Sequence, residues 1–148
     1  MRTIHAAALL RMTPDDEPVP GRAVLVTGSR MEAVASLDEL TEAYPRVRVR
    51  RWAGTLGPAL VHDGPLPPAP SPRERVHALF RLGVAAVLAA RVAEPELRAA
   101  ATRNDVTLLD RVRPLALVPG GRADLAVFGD DGACLATVVA GRLVHRRA

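Results

Sequence analysis

Six prolines, Pro58, Pro65, Pro67, Pro68, Pro70 and Pro72, fall in one short stretch of this chain. Proline fixes φ and carries no amide donor, so such a stretch extends neither a helix nor a sheet ladder. It reads as a stiff, extended segment, and residues 54–72 are the best candidate for an internal boundary. The hydrophobic pattern differs on its two sides, and that difference carries the fold prediction.

Upstream, the pattern is that of short strands with turn chemistry between them. Residues 3–10 and 22–26 read as strands, and Thr27-Gly28-Ser29-Arg30 supplies a tight hairpin turn before a strand over 31–35. Ser36-Leu37-Asp38-Glu39 has the Ser-x-x-Glu spacing of a capped helix start, and Pro45 ends that helix after Tyr44. Residues 46–52 form the next strand. Downstream of the prolines, Ser71 caps a helix with Pro72 at its first position and Gly83 at its end. Residues 84–88 are a strand apolar on both faces, 94–103 a second helix and 106–109 a second buried strand. Helix, strand, helix, strand in that order favours parallel strands joined by crossover helices.

The last part of the chain returns to strands, over 114–118, 124–128, 134–139 and 142–145. Turns stand at Pro119-Gly120-Gly121 and Gly129-Asp130-Asp131-Gly132. Neither β-rich end has enough strands to stand alone in water, so the two ends pair into one sheet. The expected fold class is α+β, with a β-sandwich-like composite sheet of N- and C-terminal strands and a short βαβα insert. Residues 1–148 are read as a single domain: an N-terminal β part (1–57), a truncated α/β insert (58–113) and a C-terminal β part completing the sheet (114–148).

Composition narrows the function classes. The 148 residues include 20 basic and 16 acidic side chains, and every basic one is arginine. Lysine and glutamine are absent altogether, so the arginine content is a bias of the whole chain rather than a selected basic face. One cluster stands out, Arg46, Arg48, Arg50 and Arg51 ahead of Trp52. On an extended strand Arg46, Arg48 and Arg50 share a face, which makes them the candidates for an anionic ligand. Nucleic acid is not the expected partner, because only 3% of the residues are aromatic and stacking platforms are scarce. A lone cysteine, Cys134, fits a reducing cytoplasm, and no Cys/His spacing matches a structural metal site. No apolar run reaches the ~20 residues that cross a bilayer, and the acidic residues after Leu10 do not fit a secretory leader.

The order of motifs resembles the amidohydrolase superfamily, and the imidazolonepropionase-like members in particular. Gly21-Arg-Ala-Val-Leu-Val-Thr-Gly, the capped helix, and Trp52-Ala-Gly-Thr-Leu-Gly-Pro-Ala-Leu-Val are similar to the family's opening hairpin and its entry into a metal-bearing barrel. Pro119-Gly-Gly-Arg-Ala-Asp-Leu-Ala-Val-Phe and Thr137-Val-Val-Ala-Gly-Arg-Leu-Val-His resemble its closing strands, which join the opening ones in a composite sheet. Arg81-Leu-Gly-Val-Ala-Ala-Val-Leu is similar to the first helix and second strand of the barrel. A closed (βα)₈ barrel takes about 250 residues, whereas residues 58–113 hold only two or three βα units.

The resemblance implies a His-x-His metal pair shortly after Pro58-Ala-Leu-Val, and those two positions are filled here by Gly64 and Leu66. The carboxylated lysine of some members has no counterpart in a chain without lysine. What the resemblance implies is therefore a barrel-less protein that is non-catalytic alone and acts as a scaffold or binding subunit. Open strand edges call for a homo-oligomer or a protein partner. No catalytic residue is assigned and no cofactor is expected. His62 and Asp63, adjacent at the loop where the family builds its site, are the only metal candidates. The alternative they carry is a compact C–N hydrolase or deaminase with zinc or another divalent ion, and a small-molecule module binding an anionic ligand or nucleic acid is the second alternative. Elsewhere, His77 is read as helix packing, His145 as a solvated strand end and Cys134 as core. The resemblance gives Asp124 the role of tying a turn to backbone amides.

Overall fold

The computed structural model describes Met1–Ala148. Ten strands and three helices form, in the predicted order except that an unpredicted strand lies within the proline-rich stretch and the strand expected over 114–118 is missing. They are β1 (Arg2–Leu10), β2 (Arg22–Thr27), β3 (Arg30–Ser36), α1 (Leu37–Ala43), β4 (Arg48–Pro58), β5 (Leu60–His62), α2 (Pro72–Arg81), β6 (Val84–Leu88), α3 (Pro95–Arg103), β7 (Thr107–Leu109), β8 (Leu125–Phe128), β9 (Cys134–Val139) and β10 (Arg142–Arg146). The helices α1 and α2 start as their sequences dictate. The Ser36 hydroxyl accepts the Glu39 amide at 3.1 Å, and the Ser71 hydroxyl accepts the Glu74 amide at 3.2 Å. No helix is long and apolar enough to cross a membrane.

The two ends of the chain build one seven-stranded sheet in the order β10-β9-β8-β4-β1-β2-β3. The junction is β4, which runs parallel to β1 on one side and antiparallel to β8 on the other. The sheet curls on itself. Val24 and Val26 of β2 and Met31 of β3 share a buried cluster with Leu125, Val127, Ala136 and Val138 of β8 and β9, although β1 and β4 separate the two groups in the sheet. The outer edge is stitched as well. The Met31 amide donates to the Gly121 carbonyl at 2.8 Å and the Gly120 amide to the Met31 carbonyl at 2.7 Å, so the β2–β3 hairpin is pinned to the segment entering β8. On the outside of β1 and β2, α1 places Leu40 against Ile4, Ala6, Ala23 and Leu25.

Between β4 and β8 the chain forms the insert, a three-stranded parallel sheet in the order β5-β6-β7 with α2 and α3 as crossovers. Val76, Leu79 and Phe80 of α2, Leu97, Ala100 and Ala101 of α3 and Ala85 and Val87 of β6 pack together with Ala126 and Val139 of the large sheet. The Thr137 hydroxyl donates to the Phe80 carbonyl at 2.6 Å and fastens the end of α2 to β9. There is no closed barrel.

Three local expectations are corrected. The stretch 54–72, expected to extend no sheet ladder, holds the end of β4 and all of β5, because its prolines cluster after His62 and the residues before them pair with β8 and β6. The strand expected over 46–52 begins two residues later and runs on to Pro58, because β4 is hydrogen-bonded on both sides and tertiary pairing with β8 continues it through two glycines. At Gly54 (φ 88°) a side chain would collide with the Phe128 carbonyl of β8, so the close approach of the strands demands glycine there. The strand expected over 114–118 is irregular. Pro114 removes a donor, and Leu117 makes a single inter-segment bond, its amide to the Met12 carbonyl at 2.8 Å, while its side chain fills the sandwich core.

Candidate functional site

The parallel strands of the insert end together, and in α/β folds ligands bind at the carboxyl ends of such strands. His62 closes β5 and Asp63 follows it. The His62 Nε2 lies 2.9 Å from the Pro65 carbonyl, so that nitrogen carries the proton and the ring folds back onto its own loop. Arg91, just beyond β6, donates from Nη2 to the backbone carbonyl of Asp63 at 3.3 Å, and the Asp63 side chain is exposed. The other histidines lie elsewhere. His5 is buried on β1, His77 meets the edge of Phe80 on α2 at 5.9 Å, and His145 of β10 donates a long 3.4 Å bond to the Cys134 carbonyl.

A hydrolytic zinc site takes about three protein ligands and an open position for water. No group of three His, Cys, Asp or Glu side chains converges anywhere in the chain. Leu66, at the second position of the expected His-x-His pair, is 2% exposed and belongs to the apolar core of the insert with Val76 and Leu79. The residues present therefore do not fit the metal centre that the resemblance implies. Cys134 is buried, with its Sγ 3.3 Å from the Thr137 hydroxyl, and burial pushes its thiol up, away from the nucleophilic thiolate.

The arginine cluster takes a different form from the one the sequence suggests. Arg48, Arg50 and Trp52 alternate along β4 and share a face. Arg46 lies in the exposed turn before the strand. In its place comes Arg146 from the end of β10, whose guanidinium carbon sits 5.6 Å from the centre of the Trp52 ring. Across the ladder, Arg50 pairs with His5, which is 3% exposed. Trp52 Nε1 donates to His5 Nδ1 at 3.3 Å, and the two ring planes are 9° apart. Burial, and then the charge of Arg50, bring His5 down to about 4, so it is neutral near pH 7 with its proton on Nε2. Arg50 is itself lowered, first by burial and then by Arg48 and Arg146. Sequence reasoning missed Arg146 and His5, because no local signal links residues from three different strands.

Solved structures place this architecture. The guanine deaminase of E. coli superposes with a TM-score of 0.56 over 80% of this chain and 39% of its own, at 14% identity. The guanine deaminase from Bradyrhizobium japonicum gives 0.52 over 70% and 32% at 11% identity, and the A. niger ochratoxinase 0.50 over 72% and 29% at 18%. The chain shares the fold of the matched parts of these two deaminases and the ochratoxinase. It spans under two-fifths of the length of these proteins. Neither a protein-family model nor a curated relative matches the sequence.

Proposed function

We propose that this protein is a barrel-less amidohydrolase relative that does no hydrolysis alone, a pseudoenzyme serving as a cytoplasmic scaffold or binding subunit and assembling as a homodimer. The observation that carries this reading is Leu66. The position matched to a metal-binding histidine closes a hydrophobic core, where an imidazole would lose packing and gain an unpaired polar group. Of the candidates His62 and Asp63, His62 spends its Nε2 on its own loop and Asp63 is exposed. The dimer part rests on β5 and β7, the edge strands of a short parallel sheet that elsewhere in this fold class continues on both sides.

One sample tests both parts. Protein purified without an affinity tag or added metal, alongside its His62→Ala variant, is assayed by elemental mass spectrometry and light scattering. The expected result is a dimer with no stoichiometric transition metal in either protein. Near-stoichiometric zinc, iron or manganese that disappears in His62→Ala would instead revive a compact C–N hydrolase, and a monodisperse monomer would remove the assembly.

A further inference from the structure

Arg48, Arg50 and Arg146 bring three positive charges to one end of the curled sheet from two strands that are not neighbours in it. None of them takes part in any of the four ion pairs of the molecule, which involve Arg2, Arg122, Arg142 and Arg147. None donates a side-chain hydrogen bond to the protein, whereas Arg11, Arg22, Arg75 and Arg91 each reach a backbone carbonyl. Arg48 and Arg146 are exposed and Arg50 is half-buried beside them, so the three like charges repel within reach of solvent and an anion joining them would relieve that repulsion. His5 supplies no positive charge of its own. Its Nδ1 is occupied by Trp52, and the neutral ring leaves Nε2–H as a donor beside Arg50.

We infer that the Arg48/Arg50/Arg146 cluster over Trp52 is a binding site for a phosphate group, carried by a small molecule or free. Guanidinium forks match phosphate oxygens in bidentate fashion, and three of them balance a dianion with one charge to spare. A strand of nucleic acid fits less well, because such sites line up successive aromatic platforms along a basic groove. This cluster has one ring, already covered by Arg146.

Trp52 is the only tryptophan of the chain, so its fluorescence reports this site alone. Inorganic phosphate and glycerol phosphate are titrated into the full chain at constant ionic strength set with chloride, and a single-stranded oligonucleotide is titrated in parallel. A saturable change with either phosphate supports the site, and which of the two binds tighter tells whether the group is taken free or as an ester. Arg50→Gln should abolish the response and Arg146→Gln weaken it by about tenfold, the effect of one charge-assisted hydrogen bond. Arg46→Gln should leave it unchanged. Arg48→Gln repeats the test should Arg50→Gln fail to fold. The inference is overturned by no saturable response, by an equal response to chloride, or by binding that survives Arg50→Gln. Equal loss in Arg46→Gln, or binding of the oligonucleotide alone with steep salt dependence, would likewise replace it with a diffuse basic surface.

Discussion

The Oδ1 of Asp124 accepts the backbone amide of Ala140 at 2.9 Å, across the turn between β9 and β10. Around that bond the two halves of the composite sheet meet tip to tip. The Ala123 amide donates to the Ser29 carbonyl in the β2–β3 turn at 2.8 Å, and the Gly141 amide to the Ala123 carbonyl at 3.0 Å. Ala140 is held at φ 49°, a left-handed conformation that a non-glycine residue adopts only when its surroundings impose it. Asp124 also takes Arg122 Nε with both carboxylate oxygens, at 3.0 and 2.8 Å.

Removing this carboxylate should loosen both ends of the chain at once. Asp124→Ala leaves the Ala140 amide and a partly buried guanidinium without their acceptor, at a cost of about 2–3 kcal/mol. Asp124→Asn retains an acceptor for Ala140 and should lose less. Urea unfolding measures both, and wild-type midpoints for the two variants would show that the turn is held by other bonds.

Two glycines separate backbone strain from collision. Gly120 (φ 86°) has open space where a side chain would start, so Gly120→Ala should cost about 1 kcal/mol, the left-handed penalty alone. Gly141 (φ 79°) lies against the Gly28 carbonyl of the facing hairpin, which a methyl group would strike. Gly141→Ala should therefore cost more than about 2 kcal/mol, since strain and displaced backbone add. Equal melting temperatures for the two variants would place the hairpin tips farther apart than the structure has them.

His5 makes stability fall with acid. Its folded value is about 4 against an ordinary 6.5, because of burial and then Arg50, so between those values the unfolded chain binds the extra proton. The contribution of the neutral ring is fully present above 6.5 and is lost as the pH falls toward 4, a difference on the order of 3 kcal/mol. Urea unfolding at pH 7 and pH 4.5 should show a smaller drop for His5→Asn than for wild type. An imidazole resonance for His5 that titrates near 6.5 in the folded protein would contradict the geometry.

Much of the element order was legible because it depends on local chemistry. Ser36 and Ser71 announce their helices, Gly28 its hairpin, and the apolar run of β6 its double burial, each through a few adjacent residues. Asp124 behaves as the family resemblance implies, tied to the Ala140 amide. The errors fall where distant segments decide. Pairing with β8 carries β4 through Gly54 and Gly57, and proline together with a lack of ladder partners leaves 114–118 irregular.

By itself, then, the sequence determined the α+β class, the composite sheet and the shortness of the insert, since hydrophobic period, caps and segment length are written in neighbouring residues. Only the tertiary structure decided what the candidate residues do. It sends Leu66 into a core, turns His62 onto its own loop, and assembles Arg48, Arg50, Trp52, His5 and Arg146 from three strands. Such a constellation depends on how far the sheet curls, and the curl comes from packing summed over the whole fold, which no local stretch of sequence encodes.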